Sequence, residues 1–84
     1  MTRADIYAAI DTERTRQGEQ WGGAHSWGSG DCSSPTVAAI VKSAVLSEEC
    51  GEVARAVLDG RDALLRRELV QVSAVAVAWL ESIA

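Results

Sequence analysis

The fold is decided by residues 45–56, which read V-L-S-E-E-C-G-E-V-A-R-A. At about 100° per residue on a helix, Glu49 and Glu52 both lie within about 40° of Val45. Residues 64–79 read L-L-R-R-E-L-V-Q-V-S-A-V-A-V-A-W, and Glu68 lies within about 40° of Val72 by the same rule. Each stretch predicts an amphipathic helix whose apolar face carries acidic side chains.

Turn and capping residues predict where three helices begin and end. Thr2 and Asp5 have the spacing of a capping box, which predicts a first helix running to about Gln20. Ser34 and Pro35 have the residue types of an N-cap and a first helical position, which predicts a second helix over 35–58. The intervening segment, 22–34, is rich in glycine and is predicted to be a long loop.

The second helix is predicted to form an antiparallel hairpin with a third. Gly60 is placed to end the second helix, and Asp62 is placed to cap a helix that continues to about Ile83. No strand-like alternation occurs elsewhere, so the fold class is predicted to be all-α, a helical hairpin plus an N-terminal helix.

The length indicates one domain spanning residues 1–84. The chain has 84 residues, a mass of 8.9 kDa and no phenylalanine, so a single copy has little to build a core from. We therefore expect a homo-dimer or homo-tetramer in which helices of neighbouring copies complete a four-helix bundle.

Charge and composition exclude several classes of protein. The net charge is −4 and the isoelectric point about 4.8, which argues against a nucleic-acid partner. No apolar stretch approaches the roughly 20 residues of a membrane span, and no secretory signal is evident, so a cytoplasmic protein is expected. Cys32 and Cys50 lack CxxC spacing and are predicted to be free thiols.

Acidic side chains on an apolar face require a positive partner. Glu49 and Glu52 on one helix would face Glu68 and Gln71 on the other. Burying such a cluster of like charges is costly unless a cation neutralises it. Carboxylate and amide oxygens are hard ligands, which favours Mg²⁺, with Mn²⁺ as a substitute. The alternative is salt bridging to nearby arginines, namely Arg55, Arg66 and Arg67.

At these residues the sequence resembles the MazG-like superfamily of all-α nucleoside triphosphate pyrophosphohydrolases. The signature of that superfamily is EExxE, a gap, and then ExxD. Here residues 47–53 read S-E-E-C-G-E-V and residues 67–72 read R-E-L-V-Q-V. The segments 13–17, 20–22 and 75–81 are also similar to small members of the superfamily, so the resemblance spans nearly the whole chain.

The resemblance implies Mg²⁺-dependent cleavage of a (deoxy)nucleoside triphosphate into a monophosphate and pyrophosphate. It implies that Glu49, Glu52 and Glu68 are metal ligands and that Glu48, with Glu49, has a catalytic role. Gln71 stands where the signature has Asp. An amide oxygen can still bind a metal but brings no negative charge. The alternative function is a non-catalytic nucleotide-binding or metal-binding helical module that oligomerises.

Four further residues are candidates for substrate binding. The aromatic ring of Trp21 and the imidazole of His25 suit a nucleobase, by stacking and by edge contacts. Lys42 and Arg55 are candidates for phosphate contacts. The alternatives are packing for Trp21 and exposure to solvent for the other three. Arg14 and Arg16 are predicted to lie on a solvated helix face.

Overall fold

A computed structural model describes residues Met1–Ala84 and contains three long helices. They are α1 (Arg3–Trp21), α2 (Ala39–Leu58) and α3 (Asp62–Ile83). Helix α3 packs against both α1 and α2, and the molecule measures 36 × 27 × 20 Å. The predicted all-α class and the α2–α3 hairpin are confirmed. No helix has both the length and the apolar character needed to cross a membrane.

Helix α1 begins at the predicted capping box. The Thr2 hydroxyl accepts a hydrogen bond from the Asp5 main-chain N–H, and the Asp5 carboxylate accepts one from the Thr2 N–H. These two bonds satisfy N–H groups that have no partner within the helix. Hydrogen bonding of the Asp5 carboxyl to the Thr2 main chain and side chain lowers the pKa of Asp5.

The α2–α3 turn also forms as the sequence predicts. Gly60 has φ +65°, in the left-handed region that glycine adopts without strain. The N–H groups of Gly60 and Arg61 bond to the carbonyl oxygens of Val57 and Ala56, which is a Schellman motif. Asp62 is the first residue of α3 rather than its cap. At that position its negative charge still favours the helix N-terminus.

The predicted start of α2 at Pro35 is wrong by four residues. The Ser34 hydroxyl bonds to Thr36, and the Ser34 N–H bonds to the Asp31 carbonyl oxygen. These bonds form a turn that buries Val37 before the helix begins. Helix α2 therefore starts at Ala39 without a side-chain cap.

The glycine-rich segment contains a small β-hairpin that the sequence did not reveal. Strand β1 (Ala24–His25) pairs antiparallel with β2 (Gly28–Ser29). Strands of two residues are too short for an alternating pattern to show in the sequence. The end of the segment is anchored by an ion pair between Arg14 Nη1 and Asp31 Oδ2 at 2.9 Å, and both side chains are largely buried.

The core of a single copy is small. Nine of 84 residues are buried, and no large side chain is fully enclosed. Cys32, Val75 and Ala78 form the main cluster, with Val45 and Leu46 packed against it. Both cysteines are free thiols, as predicted. Exposed apolar residues occur on all three helices, among them Ile6, Ile40 and Leu69.

Candidate metal centre

Helices α2 and α3 bring three carboxylates together. One oxygen from each of Glu49, Glu52 and Glu68 lies within 4.8 Å of the others. Glu49 and Glu52 are three residues apart on α2, and Glu68 is on the facing helix α3. Glu68 is only 8% exposed and Glu49 is half-buried. Glu52 is exposed, so the prediction that it lies on the buried face is wrong, although it still joins the cluster.

Two oxygens of this cluster are buried without a partner. Glu49 Oε2 and Glu68 Oε2 accept no hydrogen bond. None of the four ion pairs in the structure includes a member of the cluster. The arginine alternative considered for these carboxylates is therefore wrong. Buried carboxylate oxygens are rarely left unpaired because the loss of hydration is costly. Three convergent carboxylates are the kind of all-oxygen donor set that hard divalent cations take.

Burial and neighbouring negative charge disfavour ionisation of Glu49 and Glu68. Burial, followed by the charges of Glu52 and Glu68, raises the pKa of Glu49 to about 7. Burial, followed by the neighbouring Glu52 carboxylate, raises the pKa of Glu68. Like charges in a poorly solvated site repel, so protons are retained to higher pH. Near neutral pH the metal-free site therefore holds fewer negative charges than it has carboxylates.

A cavity of about 190 Å³ adjoins the cluster. Glu48 and Glu49 lie on its wall, and the exposed aromatic residues Trp21 and Trp27 line it together with the buried thiol of Cys32. The remaining lining residues are Arg16, Gln17, Asp31, Val37, Val41, Val45, Val75 and Ala78. Most of the lining is apolar, and its acidic residues are Asp31, Glu48 and Glu49. This combination suits a ligand that has a flat apolar part and a part bound through a cation.

The structure places the predicted aromatic candidates in one group. The His25 ring stacks on Trp27, with centroids 4.3 Å apart and an interplanar angle of 13°. His25 Nε2 donates a hydrogen bond to the Trp21 carbonyl oxygen at 2.7 Å. His25 itself does not line the cavity, whereas Trp21 does. Trp27, in the turn of the β-hairpin, lines the cavity together with Trp21.

The two predicted phosphate contacts lie outside the cavity lining. Lys42 is buried, and its Nζ donates to the Ser82 hydroxyl at 2.8 Å, so the lysine does not extend into solvent as the alternative held. Arg55 is exposed near the end of α2, where Nη1 lies 4.0 Å from Asp59 Oδ1. Neither residue lines the cavity beside Glu48 and Glu49.

Gln71 lies one turn after Glu68 on α3 and is half-buried. Its main-chain carbonyl oxygen accepts a hydrogen bond from Gln17 Nε2 at 3.2 Å. Gln17 is buried and lines the cavity. This bond joins α1 to α3 and fixes the backbone beside the cluster.

Helix α1 supplies a second group of residues that the sequence did not single out. Glu13 is largely buried, and its charge contributes to the raised pKa values of Glu49 and Glu68. Arg16 pairs with Glu13 and lines the cavity while half of its side chain stays open to solvent, as predicted. The prediction that Arg14 shares this solvated face is wrong, because Arg14 pairs with Asp31 and Glu81 and only 14% of its side chain is exposed. The apolar pattern of α1 is too weak to show which of its faces is covered.

The three carboxylates supply the oxygen donors that a hard divalent cation takes, and Glu48 lies beside them on the cavity wall. The relevant donors come from two helices joined by a tight turn, which fixes their relative positions. Comparison of the chain with family models, with curated proteins and with solved structures finds no match.

Proposed function

We propose that this protein is a Mg²⁺-dependent nucleotide pyrophosphohydrolase that acts on nucleoside or deoxynucleoside triphosphates. One observation carries the proposal: three carboxylates converge within 4.8 Å, and two of them have buried oxygens without any partner. The neighbouring cavity with its tryptophans supports a nucleotide as the ligand. The resemblance to the MazG-like superfamily supports the reaction type.

Glu49, Glu52 and Glu68 would hold the metal, with the amide oxygen of Gln71 as a further ligand. When bound, Mg²⁺ would neutralise phosphate charge and favour departure of pyrophosphate. Mn²⁺ has similar ligand preferences and is expected to replace it. The three carboxylates fit this role because they supply only oxygen donors.

Glu48 and Glu49 lie on the cavity wall. Water would attack the α-phosphorus, and the bond from that phosphorus to the bridging oxygen would break. A carboxylate oxygen of Glu48 would accept the proton of the attacking water. Trp21 would hold the base, and exclusion of bulk water by the apolar wall would strengthen the electrostatic contacts.

A screen of nucleoside triphosphates tests this reaction. The purified chain is incubated with each triphosphate and Mg²⁺ or Mn²⁺, and pyrophosphate and orthophosphate are measured separately. We expect metal-dependent release of pyrophosphate with no orthophosphate. Release of orthophosphate alone, or no turnover with any triphosphate, would contradict the proposal.

The second candidate is a non-catalytic module that binds nucleotide or metal. The half-buried amide of Gln71 favours it, because this position adds no negative charge to the site. In that case Gln71→Asp should convert a binding protein into a measurable hydrolase. If the wild-type chain already turns over triphosphates, this candidate is excluded.

The protein is proposed to act as a homo-dimer or homo-tetramer in the cytoplasm. The small core of one copy supports association, because a chain of this size gains stability by burying apolar surface against another copy. An apolar groove between α1 and α3 is lined by Ile6, Ile10, Leu69 and Val70. Helices of a second copy packed there would complete a four-helix bundle.

Leu69→Glu tests this association. Leu69 is 47% exposed in one copy and lies in the groove, so a charge there would be desolvated at the interface. We expect the apparent mass in sedimentation experiments to fall to that of a monomer. Arg61→Glu, in the α2–α3 turn, is the control and should leave the mass unchanged. A wild-type monomer would disprove the assembly.

A further inference from the structure

Arg16 is the only basic residue that lines the cavity. It lies on α1, whereas Glu48 and Glu49 line the same cavity from α2. The hydrogen bond to Glu13, followed by the charges of Glu13 and Glu49, raises the pKa of Arg16, which stays charged at any working pH. Half of its side chain is open to solvent. The acidic cavity thus has one permanent cation that a ligand can reach.

Two hydrogen bonds hold the guanidinium side-on against a largely buried carboxylate. Arg16 Nε donates to Glu13 Oε1 at 2.8 Å, and Arg16 Nη2 donates to Glu13 Oε2 at 2.6 Å. Arg16 Nη1 donates to the Gln20 side-chain oxygen. A guanidinium has five N–H donors, so two remain without a protein partner. A planar cation with free donors is suited to phosphate oxygens.

The other basic residues near this end of the molecule are occupied or absent from the cavity. Arg14 bonds to Asp31 and Glu81, and only 14% of its side chain is exposed. Lys42 is buried against Ser82, and Arg55 does not line the cavity. Arg16 is therefore the residue to which the geometry points for an anionic group.

We propose that Arg16 binds a phosphate group of the ligand and that Glu13 is a positioning residue that holds the guanidinium at the cavity. This assignment rests on the proposed function, in which the ligand is a metal-bound triphosphate. It replaces the phosphate contacts predicted from the sequence, Lys42 and Arg55. The metal would bind one side of the phosphate chain while Arg16 binds another.

Calorimetric titration with inorganic tripolyphosphate in the presence of Mg²⁺ tests the phosphate contact without a base. Arg16→Gln is expected to weaken binding by about 10- to 100-fold, the loss typical of a charge-assisted contact. Arg55→Gln, the matched control, should bind as tightly as wild type. Equal affinity of wild type and Arg16→Gln would overturn the assignment.

The double variant Glu13→Gln/Arg16→Gln guards against misfolding, because it replaces the ion pair with two amides and leaves no unpaired charge. It should bind tripolyphosphate as weakly as Arg16→Gln alone. Glu13→Gln alone should weaken binding less, and Glu13→Asp should restore part of the loss. If the losses of binding free energy in the two single variants add up fully in the double variant, the positioning role of Glu13 is overturned.

The same titrations separate this assignment from the proposed function. Mn²⁺ binding by Arg16→Gln in the absence of phosphate should match wild type, because Arg16 is not a metal ligand. If wild type binds neither Mn²⁺ nor tripolyphosphate, the metal centre and the Arg16 assignment both fail. If wild type binds both and Arg16→Gln loses neither, only the Arg16 assignment fails.

Discussion

Glu49→Gln should abolish metal-dependent pyrophosphate release, lowering it by about 100-fold or more. The glutamine keeps the shape of the side chain but removes one of the negative charges that the proposed metal site needs. The same change should stabilise the metal-free protein at pH 8. Ionised Glu49 is repelled there by Glu52 and Glu68, and the amide is not. A gain on the order of 1 kcal/mol is expected, because solvent screens this half-buried group.

The sign of the stability effect follows from the direction of the pKa shift. The folded state holds the Glu49 proton up to about pH 7, whereas the unfolded chain releases it near the ordinary value of 4.5. The folded metal-free protein therefore loses stability as pH rises through this window. Thermal melts of wild type and Glu49→Gln at pH 5 and pH 8 measure the difference. Glu19→Gln, an exposed acid on α1, is the control.

If Glu49→Gln lost both its activity and its fold, the lost activity would not support a metal role for Glu49. The melting curves show whether the variant is folded. The outcome that contradicts the account is retained turnover in Glu49→Gln. Glu52→Gln is expected to behave in the same way, because its oxygen belongs to the same cluster.

Metal affinity should increase with pH. Mg²⁺ binds the ionised carboxylate, so below pH 7 it must displace the proton of Glu49. Displacement of a single proton with this pKa predicts that affinity rises about tenfold between pH 6 and pH 8. The raised pKa of Glu68 acts in the same direction.

Titration of Mg²⁺ in two buffers with different ionisation enthalpies measures both the affinity and the protons released. We expect proton release at pH 6 that declines by pH 8. In Glu49→Gln the residual binding should depend less on pH. An affinity that stays constant across this range would show that the carboxylates are not the ligands.

Local signals in the sequence predicted the start of α1 and the turn between α2 and α3. The Thr2–Asp5 capping box and the left-handed Gly60 were read correctly because each acts within one turn of the chain. Helical periodicity also predicted that Glu49 and Glu68 lie close together, because both lie among apolar residues on helices joined by a short turn. The exposure of Glu52 was not predicted, because periodicity shows on which face of the helix a residue lies but not whether another segment covers that face.

Residues whose surroundings depend on distant segments could not be predicted in this way. Val37 and Cys32 are buried by a turn that only the packed structure defines. Lys42 is buried because Ser82, forty positions later, accepts its hydrogen bond. Arg16 reaches the cavity because α1 packs on α3, and no pattern within α1 indicates that contact.

Titration of Mn²⁺ into the phosphate-free protein at pH 8 shows whether the convergent glutamates form a binding site for a divalent cation. Wild type is expected to bind Mn²⁺ saturably. Glu68→Gln should remain folded and bind at least about tenfold more weakly, because it loses the most buried ligand. Absence of binding by wild type, or equal affinity of the two proteins, would contradict the account.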